Sequence, residues 1–351
     1  MDFGLSEDQI LFQNALEGFL NEHVPVTRVR DIMEREDTAD AALVASLAEQ
    51  GVCGILVPAD YGGTGLGLLD AVVAAEQLGA AATPYSFHSA AVMAPLLLEA
   101  AGKTDLLGKI ADGSLLVSVV DGAPATSGGK LSGSAMFAPD ALAADLFVLF
   151  CGEGESRQAV LLDAQSAGIR REALMVVDET RRVGELVLDS VSVGPEAVLD
   201  VSAKTIDRIL DAGRIVLAAD AVGGAQRSLD ESVKYSLDRK QFERVIGSFQ
   251  AVKHMCAETY AELEPVRSLM WYAAFAWDEE RDDAALVASL LKAEACEMAT
   301  RAATTCVQVF GGMGFTYECD MHIWFKRAGY DRQVLGGPAE LRERAAQLAY
   351  G

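Results

Sequence analysis

The stretch AVGGAQRSLDESVKYSLDRKQFERVIGSFQAVKHMCAE, residues 221–258, contains a short charged break between two segments with helical periodicity. The same periodicity defines three long segments, at roughly 203–240, 248–280 and 282–310. A helix of about 27 residues is about 40 Å long, and helices of this length stabilise one another by packing their apolar faces together. The stretch therefore predicts a helical bundle, which we extend over residues 201–351.

The rest of the chain predicts two further domains. Residues 1–112 have helical patterns; for example, LSEDQI begins a helix with Ser6 as N-cap and Gln9 three residues later. Residues 113–200 contain short runs rich in Val, Leu and Phe, which predict antiparallel strands in a small barrel or sandwich. The predicted fold class is α+β, mainly α, with an N-terminal helical domain, a middle antiparallel β domain and a C-terminal helical bundle.

Composition excludes several classes of protein. The chain has 351 residues, of which 51% are hydrophobic, so it can bury a large core in two or three domains. A net charge of −23 argues against a general nucleic-acid or anionic-membrane binder, although it is compatible with one local basic pocket for an anionic cofactor. Apolar runs are too short to predict membrane insertion, and the acidic N-terminus does not resemble a signal peptide. The cysteines and histidines lack metal-binding spacing, so we expect reduced thiols, no metal and a cytoplasmic location.

A helix-like segment near the C-terminus is interrupted by Gly336, Gly337 and Pro338. Inside a helix, Gly and Pro cost about 1 and 3 kcal/mol relative to Ala. The interruption therefore predicts a turn at residues 336–338. It also raises the question of which side chain would otherwise stand at that point.

Three stretches resemble the acyl-CoA dehydrogenase family when taken in order: LVPADYGGTGLGLLDAVVAAEQLG at 56–79, the stretch at 221–258, and CVQVFGGMGFTYECDMHIWFKRA at 306–328. Residues 178–199 are similar to the end of that family's β domain. The resemblance implies a C-terminal four-helix bundle, dimers or dimers of dimers, and FAD as cofactor. It also implies oxidation of an acyl-CoA substrate to the 2-enoyl-CoA, with electron-transfer flavoprotein as the common electron acceptor. In that reaction a glutamate removes the α-proton while the β-hydrogen leaves as hydride to the flavin.

In this family FAD lies across a dimer interface, and the resemblance implies that one chain contacts the ADP half of the FAD held by the other. The matching positions, which we call the donor set, are Arg239, Lys240, Phe242, Gln250, Gln308, Gly311 and Gly312. An arginine can bind pyrophosphate oxygens with two N–H groups, and paired glycines allow a ligand to approach the backbone. Taken singly, Arg239 is better explained as a solvated charge and the glycines as a helix C-cap, whereas the whole set taken together favours cofactor binding.

The segments that cradle the flavin ring in the family are not matched in this chain. Family members carry a hydroxyl-bearing glycine turn followed by a strand with a stacking tryptophan. The corresponding stretches are SVVDGAPATSGG at 118–129 and about SAMFAPDAL at 134–142, and no tryptophan occurs before Trp271. The resemblance therefore implies that this chain has the residues that contact the ADP half of FAD and lacks those that contact the flavin ring.

The catalytic glutamate is also unmatched. One family position falls on Gly336, or on Leu335 if a gap is moved, and the other falls on Gly213, just before Arg214. Gly213 lies on an apolar stripe and is expected to face inward. It allows close helix packing, leaves room for a bulky acyl group, or marks an inactive pocket. Arg214 matches a family residue near the CoA ester. The nearby carboxylates Asp211, Asp220 and Asp331 have no spacing that supports them as substitute bases.

Three hypotheses follow. The favoured one is a subunit of a heteromeric acyl-CoA dehydrogenase, similar to bacterial members acting on steroid side-chain CoA esters, in which a homologous partner chain, in a heterotetramer, brings the base and the flavin-ring pocket. Keeping one half of the FAD contacts and losing the other is what this arrangement requires. The alternatives are a homo-oligomeric dehydrogenase with an unrecognised base, and a non-catalytic chain of this fold that binds acyl-CoA or a partner.

Overall fold

The computed structural model describes residues 4–35 and 40–351. The N-terminal part is helical and consists of α1 (Glu7–His23), α2 (Val26–Met33), α3 (Ala41–Glu49), α4 (Leu68–Ala80), α5 (Ala94–Ala100) and α6 (Leu107–Ala111). A π-helical turn, His88–Met93, precedes α5. The predicted start of α1 is confirmed, because the Ser6 hydroxyl accepts a hydrogen bond from the Gln9 amide at 3.2 Å and the Gln9 side chain accepts one from the Ser6 amide at 3.0 Å.

The middle part consists of two packed sheets. Its strands are β1 (Val117–Ala123), β2 (Lys130–Pro139), β3 (Leu146–Cys151), β4 (Gln158–Asp163), β5 (Ile169–Leu174), β6 (Val183–Ser192) and β7 (Val198–Leu199). One sheet has the order β1-β3-β4-β7 and the other the order β2-β6-β5. Side chains of both sheets, among them Leu131, Phe147 and Leu186, share one buried cluster.

The prediction of an antiparallel domain is wrong for one pair of strands. Strands β1 and β3 run parallel, from Val117 opposite Leu146 to Val120 opposite Leu149, while the other pairs of this domain are antiparallel. After β1 the chain crosses to the second sheet as β2 and then returns beside β1 in the same direction. Such a crossover is what parallel pairing requires, and an apolar run does not indicate which strand becomes its neighbour.

The C-terminal part is a helical bundle. Its elements are α7 (Ala203–Asp238), the hairpin β8 (Lys240–Gln241) and β9 (Arg244–Val245), α8 (Gln250–Asp278), α9 (Ala284–Phe310), α10 (Met321–Asp331) and α11 (Pro338–Tyr350). The three long helices predicted from the sequence are confirmed, and the charged break within 221–258 is the hairpin. The longest element, α7, packs against α4, α8 and α9.

The N-terminal part and the bundle share one core, and glycines allow their closest contact. A Cβ on Gly79 of α4 would lie 2.1 Å from the carbonyl oxygen of Asp220, and a Cβ on Gly223 of α7 would lie 1.9 Å from that of Glu76. Asp278, the last residue of α8, accepts hydrogen bonds from the first two amides of α4 at 2.8 and 3.1 Å. The two parts are therefore packed backbone to backbone.

A buried ion cluster joins the same elements. Arg327 of α10 donates to both carboxylate oxygens of Asp220, at 2.7 and 2.6 Å, and Arg181 donates to one of them at 3.0 Å. Arg327 also donates to Thr180 Oγ1 at 2.9 Å and to the Thr83 carbonyl at 3.2 Å. These buried charges are paired and hydrogen-bonded, as buried ions must be.

Candidate functional site

A cavity of about 840 Å³ lies between the β domain and the C-terminal helices. Its wall is formed by β1, β2, residues 176–178, the π-helical turn, α10 and the turn before α11. Apolar side chains cover much of the wall, and the polar or charged residues in it are His88, Asp121, Asp178, Thr300, Lys326, Tyr330, Gln333 and Glu340. The volume is within the range of about 300–1,000 Å³ that small-molecule sites occupy.

The two glycines at the expected positions of the base lie close to this cavity and to each other. Gly336 has a φ of +107° and lines the cavity, which explains why the helix breaks at a glycine. Gly213 is buried in α7, as predicted, but the space beside it is filled. A Cβ on Gly213 would lie 2.7 Å from both Leu335 Cδ1 and Met93 Sδ. The space for a ligand is therefore on the Gly336 side and not at Gly213.

Arg214 is held by its own chain. Its Nε donates to the Leu335 carbonyl at 2.9 Å, and its Nη1 donates to Asp211 at 2.8 Å. Arg214 is buried and is not part of the cavity wall. Its contacts in this chain stabilise the turn before α11, which places Gly336 at the cavity.

The three aspartates considered as substitute bases do not line the cavity. Asp211 is paired with Arg214 and, at 2.7 and 2.8 Å, with Arg344. Burial alone would raise the pKa of Asp220, but the guanidinium groups of Arg327 and Arg181 hold it well below its ordinary value. Burial, together with the negative charge of Asp220, raises the pKa of Asp331 well above its ordinary value.

Sequence reasoning missed one carboxylate at the cavity. Glu340 lies in the first turn of α11, lines the cavity, and places Oε2 3.6 Å from the position of a Cβ on Gly336. The sequence gave no local signal for this contact, because Gly336 lies in the turn before α11 and the helical i,i+4 spacing does not apply to it. Glu340 is exposed to solvent, whereas removal of an α-proton needs a carboxylate in a dry site.

The structure places the donor set together at one end of the bundle. Arg239 ends α7, Lys240 begins the hairpin, and Phe242 at its tip has a φ of +52° and is 87% exposed. The remaining members follow at the start of α8 and the end of α9, namely Gln250, Gln308, Gly311 and Gly312. Tyr235 of α7 stacks on Phe310 of α9 with ring centroids 4.3 Å apart, which brings the two helix ends together.

The chemistry of the donor set fits an anionic group. Within residues 4–35 and 40–351, the side chains of Arg239 and Lys240 form no ion pair, and both are exposed. A Cβ on Gly311 or Gly312 would meet no atom within 4 Å, so the backbone there is open to an approaching molecule. Uncompensated cations beside an open glycine backbone are suitable for a pyrophosphate.

The cavity itself is a poor match for the charged part of FAD. Three of its wall residues are carboxylates, Asp121, Asp178 and Glu340, and its cation Lys326 is already paired with Glu179 at 2.9 Å. An aromatic side chain, Phe137 with a φ of +57°, stands in the stretch where the family has its tryptophan. The wall therefore offers a flavin ring an aromatic face but offers a pyrophosphate net negative charge.

Sequence reasoning also missed His88, which showed no recognisable ligand set. His88 is 3% exposed, lines the cavity, and neither ring nitrogen has a hydrogen-bond partner. Burial, followed by the charge of Arg181, lowers the pKa of His88 to about 3, so the imidazole is neutral at physiological pH. The Tyr330 hydroxyl, also in the cavity wall, is likewise buried without a partner.

The described part of the chain offers neither a metal site nor a helix that could span a membrane. No group of His, Cys, Asp or Glu side chains there is arranged to hold a metal ion. None of the helices described has both the length and the apolar character required to cross a bilayer.

Comparison with known proteins gives a consistent set of relatives. A family model described as "Acyl-CoA dehydrogenase, N-terminal domain" matches residues 6–114, and "Acyl-CoA dehydrogenase, C-terminal domain" matches residues 203–347. The chain is 28% identical over 346 residues to acyl-CoA dehydrogenase IpdE2 of Mycolicibacterium smegmatis, covering 98% of this chain and 100% of the relative.

Two solved structures resemble the whole chain. The ChsE4-ChsE5 complex of Mycobacterium tuberculosis matches with a TM-score of 0.90 at 25% identity, covering 100% of both chains. A structure titled "Tcur3481-Tcur3483 steroid ACAD G363A variant" matches with a TM-score of 0.89 at 27% identity, covering 98% of both chains.

Proposed function

This chain belongs to the acyl-CoA dehydrogenase family of oxidoreductases, and from that premise we propose that it is the donor subunit of a heteromeric, FAD-dependent member. In this proposal a homologous partner subunit, within a heterotetramer, carries the catalytic glutamate and the flavin-ring contacts. The present chain binds the ADP half of the partner's FAD. The residues proposed for this role are Arg239, Lys240, Phe242, Gln250, Gln308, Gly311 and Gly312.

The observation that carries the proposal is that the donor set is intact and exposed while both positions of the base are glycines. The distance between Gly213 and the donor set within one chain also supports the proposal. Gly213 lies in the 36-residue helix α7 and Arg239 directly follows its last residue, so the two are about 39 Å apart at 1.5 Å per residue. A donor set so far from the cavity of its own chain is suited to an FAD seated on another chain.

In this proposal the two chains supply different parts of the chemistry. FAD, when bound, accepts the hydride that leaves the acyl β-carbon. In this chain, Arg239 binds pyrophosphate oxygens through its forked N–H groups, and Lys240 adds positive charge beside it. The backbone at Gly311 and Gly312 carries no side chain, so the pyrophosphate can approach it closely. The proton at the α-carbon is removed by the partner, since neither Gly213 nor Gly336 has a side chain to accept it.

The relatives support a two-chain enzyme. Both solved structures named above pair two proteins, ChsE4 with ChsE5 and Tcur3481 with Tcur3483, and the second is a steroid acyl-CoA dehydrogenase. We therefore propose a steroid-derived or fatty acyl-CoA as substrate class. Electron-transfer flavoprotein is the proposed electron acceptor.

The visible absorption spectrum tests this function directly. The chain is purified alone and again after co-expression with a homologous acyl-CoA dehydrogenase chain that carries the glutamate, and flavin absorbance is measured per mole of protein. A colourless single chain and a yellow complex are expected. A yellow single chain with bound FAD would contradict the proposal, because it would mean that this chain completes its own flavin site.

Glu340 supports a second candidate, a homo-oligomeric dehydrogenase with its own base. Its carboxylate stands 3.6 Å from where the side chain of the missing glutamate would begin. Its exposure argues against it, since a solvated carboxylate is a weak base towards an α-proton. The second candidate predicts acyl-CoA oxidation by the flavin-loaded chain alone, and loss of that activity in Glu340→Gln. A matched control is Glu343→Gln, on the same helix but outside the cavity wall.

A further inference from the structure

The tip of the hairpin β8–β9 has a backbone conformation that its residues do not favour. Gln241 pairs with Arg244, which leaves the two-residue turn Phe242–Glu243. Both turn residues have a positive φ, +52° and +64°. Two-residue turns of this kind favour Asn-Gly, because most residues with a side chain are strained there. Such strain persists where the side chains have a role, so the presence of Glu243 needs an explanation.

The hairpin is fixed to the end of α7 and to the start of α8. The amide of Ile246 donates to the Arg239 carbonyl at 2.8 Å. The guanidinium of Arg244 lies 4.0 Å from the centroid of the Phe249 ring, and the Phe242 ring meets the same ring edge to face, with centroids 6.2 Å apart. The turn therefore presents its exposed side chains at a defined place beside the donor set.

Glu243 is the one acidic residue in a basic segment. Residues 239–244 read RKQFER, with the three cations Arg239, Lys240 and Arg244. Glu243 is exposed, and within residues 4–35 and 40–351 its side chain forms neither an ion pair nor a hydrogen bond. A carboxylate weakens the attraction of this segment for phosphate. Its presence favours a ligand that brings hydroxyl donors together with its phosphates.

The ADP half of FAD is such a ligand. Its pyrophosphate suits the forked N–H groups of Arg239, and its ribose has two free hydroxyl groups that can donate to a carboxylate. Glu243 is three residues from Lys240, which is at most about 10 Å of extended backbone, so one ADP unit can reach both side chains.

CoA contains the same ADP unit with one difference, a phosphate on the 3′-oxygen of the ribose. A carboxylate beside the ribose would repel this phosphate. In dinucleotide-binding domains an acidic side chain likewise hydrogen-bonds a free ribose hydroxyl, whereas an arginine accommodates a ribose phosphate. Glu243 can therefore distinguish two ligands that Arg239 and Lys240 cannot.

We propose that Glu243 is the specificity residue of the donor set: its carboxylate accepts hydrogen bonds from the ribose hydroxyls of the ADP half of FAD and rejects the 3′-phosphate of CoA. This inference rests on the proposed function, in which the enzyme acts on CoA esters and must keep them out of its FAD site. The competing explanation is that Glu243 pairs with a cation of the partner chain, in which case it has no influence on the choice of nucleotide.

Two nucleotides that differ only in the 3′-phosphate test the proposal: ADP and 3′-phospho-ADP. Each is titrated into the purified full-length chain, and affinity is measured by ligand-observed NMR, which detects weak binding. We expect ADP to bind about tenfold more tightly than 3′-phospho-ADP. Glu243→Gln removes the charge at nearly the same size and should abolish this preference. Glu258→Gln, an exposed acid on α8 outside the donor set, is the matched control and should retain the preference.

Arg239→Ala separates this inference from the proposed function, since it should weaken the binding of both nucleotides. Should ADP binding depend on Arg239 while the wild type binds both nucleotides equally, the role of Glu243 is overturned and the donor set stands. ADP binding that is absent, or that is unaffected in Arg239→Ala, would contradict both. An unchanged preference for ADP in Glu243→Gln would overturn the inference and favour a contact with the partner chain.

Glu243→Gly provides an independent test. Glycine adopts a positive φ without strain, so this variant should be at least as stable as the wild type in urea and should still lose the preference for ADP. In the complex with the partner chain, 3′-phospho-ADP should displace flavin from the Glu243→Gln complex more readily than from the wild-type complex. Flavin fluorescence in the filtrate measures the displacement. Retained selectivity in Glu243→Gly would rule out this role for Glu243.

Discussion

Leu335 packs onto Gly213: its Cδ1 atom lies 2.7 Å from the position that a Cβ on Gly213 would take. Leu335 is also the residue before Gly336, so the two positions at which the family places its base meet at one point. Arg214, next to Gly213, fixes the contact by donating to the Leu335 carbonyl. A side chain at Gly213 therefore cannot be added without moving the turn that carries Gly336.

Gly213→Ala should destabilise the protein. The new methyl group would collide with Leu335 and Met93 in a packed core, and overpacking of this kind typically costs about 1–3 kcal/mol. The free energy of unfolding is measured in urea. The matched control is Gly18→Ala in α1, which meets no atom within 4 Å and should stabilise its helix by up to about 1 kcal/mol. An unchanged stability in Gly213→Ala would show that the contact is loosely packed.

Arg239→Ala should lower FAD retention by the complex with the partner chain. Loss of a charge-assisted hydrogen bond to a phosphate costs about 1.5–3 kcal/mol, which corresponds to about 10- to 150-fold in affinity. Retained flavin is measured by absorbance after gel filtration. Lys234→Ala, an exposed cation on the same helix outside the donor set, serves as control. Normal flavin content and activity in Arg239→Ala would favour a non-catalytic scaffold.

Gly336→Glu should not create a dehydrogenase in the chain purified alone. The substitution restores an acid at a family position, but the ring contacts are still missing. A residue with a side chain at a φ of +107° is also strained, which we expect to cost about 1–2 kcal/mol. Gly336→Ala carries the strain without the acid and is the stability control. Acyl-CoA oxidation by the single variant, followed with an artificial electron acceptor, would contradict the prediction.

Asp331→Asn should change how stability depends on pH. Burial and the charge of Asp220 raise the pKa of Asp331 in the folded protein above its value of about 3.9 in the unfolded chain. The folded state then binds more protons, so this group stabilises most at low pH and loses its contribution as pH rises above about 4, by at most about 1.4 kcal/mol per pH unit.

The asparagine side chain does not ionise, so the variant does not lose this stability as pH rises. The stability of the variant relative to the wild type should therefore be higher at pH 7 than at pH 4, and at pH 7 the variant should be at least as stable as the wild type. Denaturant unfolding at several pH values measures the effect, and Asp105→Asn, an exposed aspartate, is the control. A parallel pH profile for Asp331→Asn and the wild type would exclude this role.

The sequence predicted the elements that depend on local pattern. The bounds of α7, α8 and α9 follow from long apolar periodicity, and the start of α1 follows from a capping box with its own hydrogen bonds. The family positions of the base and of the donor set were also located from motifs. Their roles remain proposals, but their placement in the fold, at the turn before α11 and at the end of the bundle, agrees with their spacing.

What the sequence did not predict depends on contacts between distant segments. The parallel pairing of β1 with β3 depends on the crossover through β2. The filling of the space at Gly213 depends on Leu335, more than a hundred residues later in the chain. His88 was missed for the same reason, because a single histidine has no local pattern and its environment is created by α10 and the β domain.

The length of α7 has a consequence for stoichiometry. In the proposed function, α7 holds the donor set far from the cavity of its own chain, so each copy contributes to a flavin site on the partner and, without ring contacts of its own, gains none. Two copies alone would thus form a dimer without flavin. In a heterotetramer of two copies and two partners, we expect one FAD for each partner chain, which is one FAD for every two polypeptides.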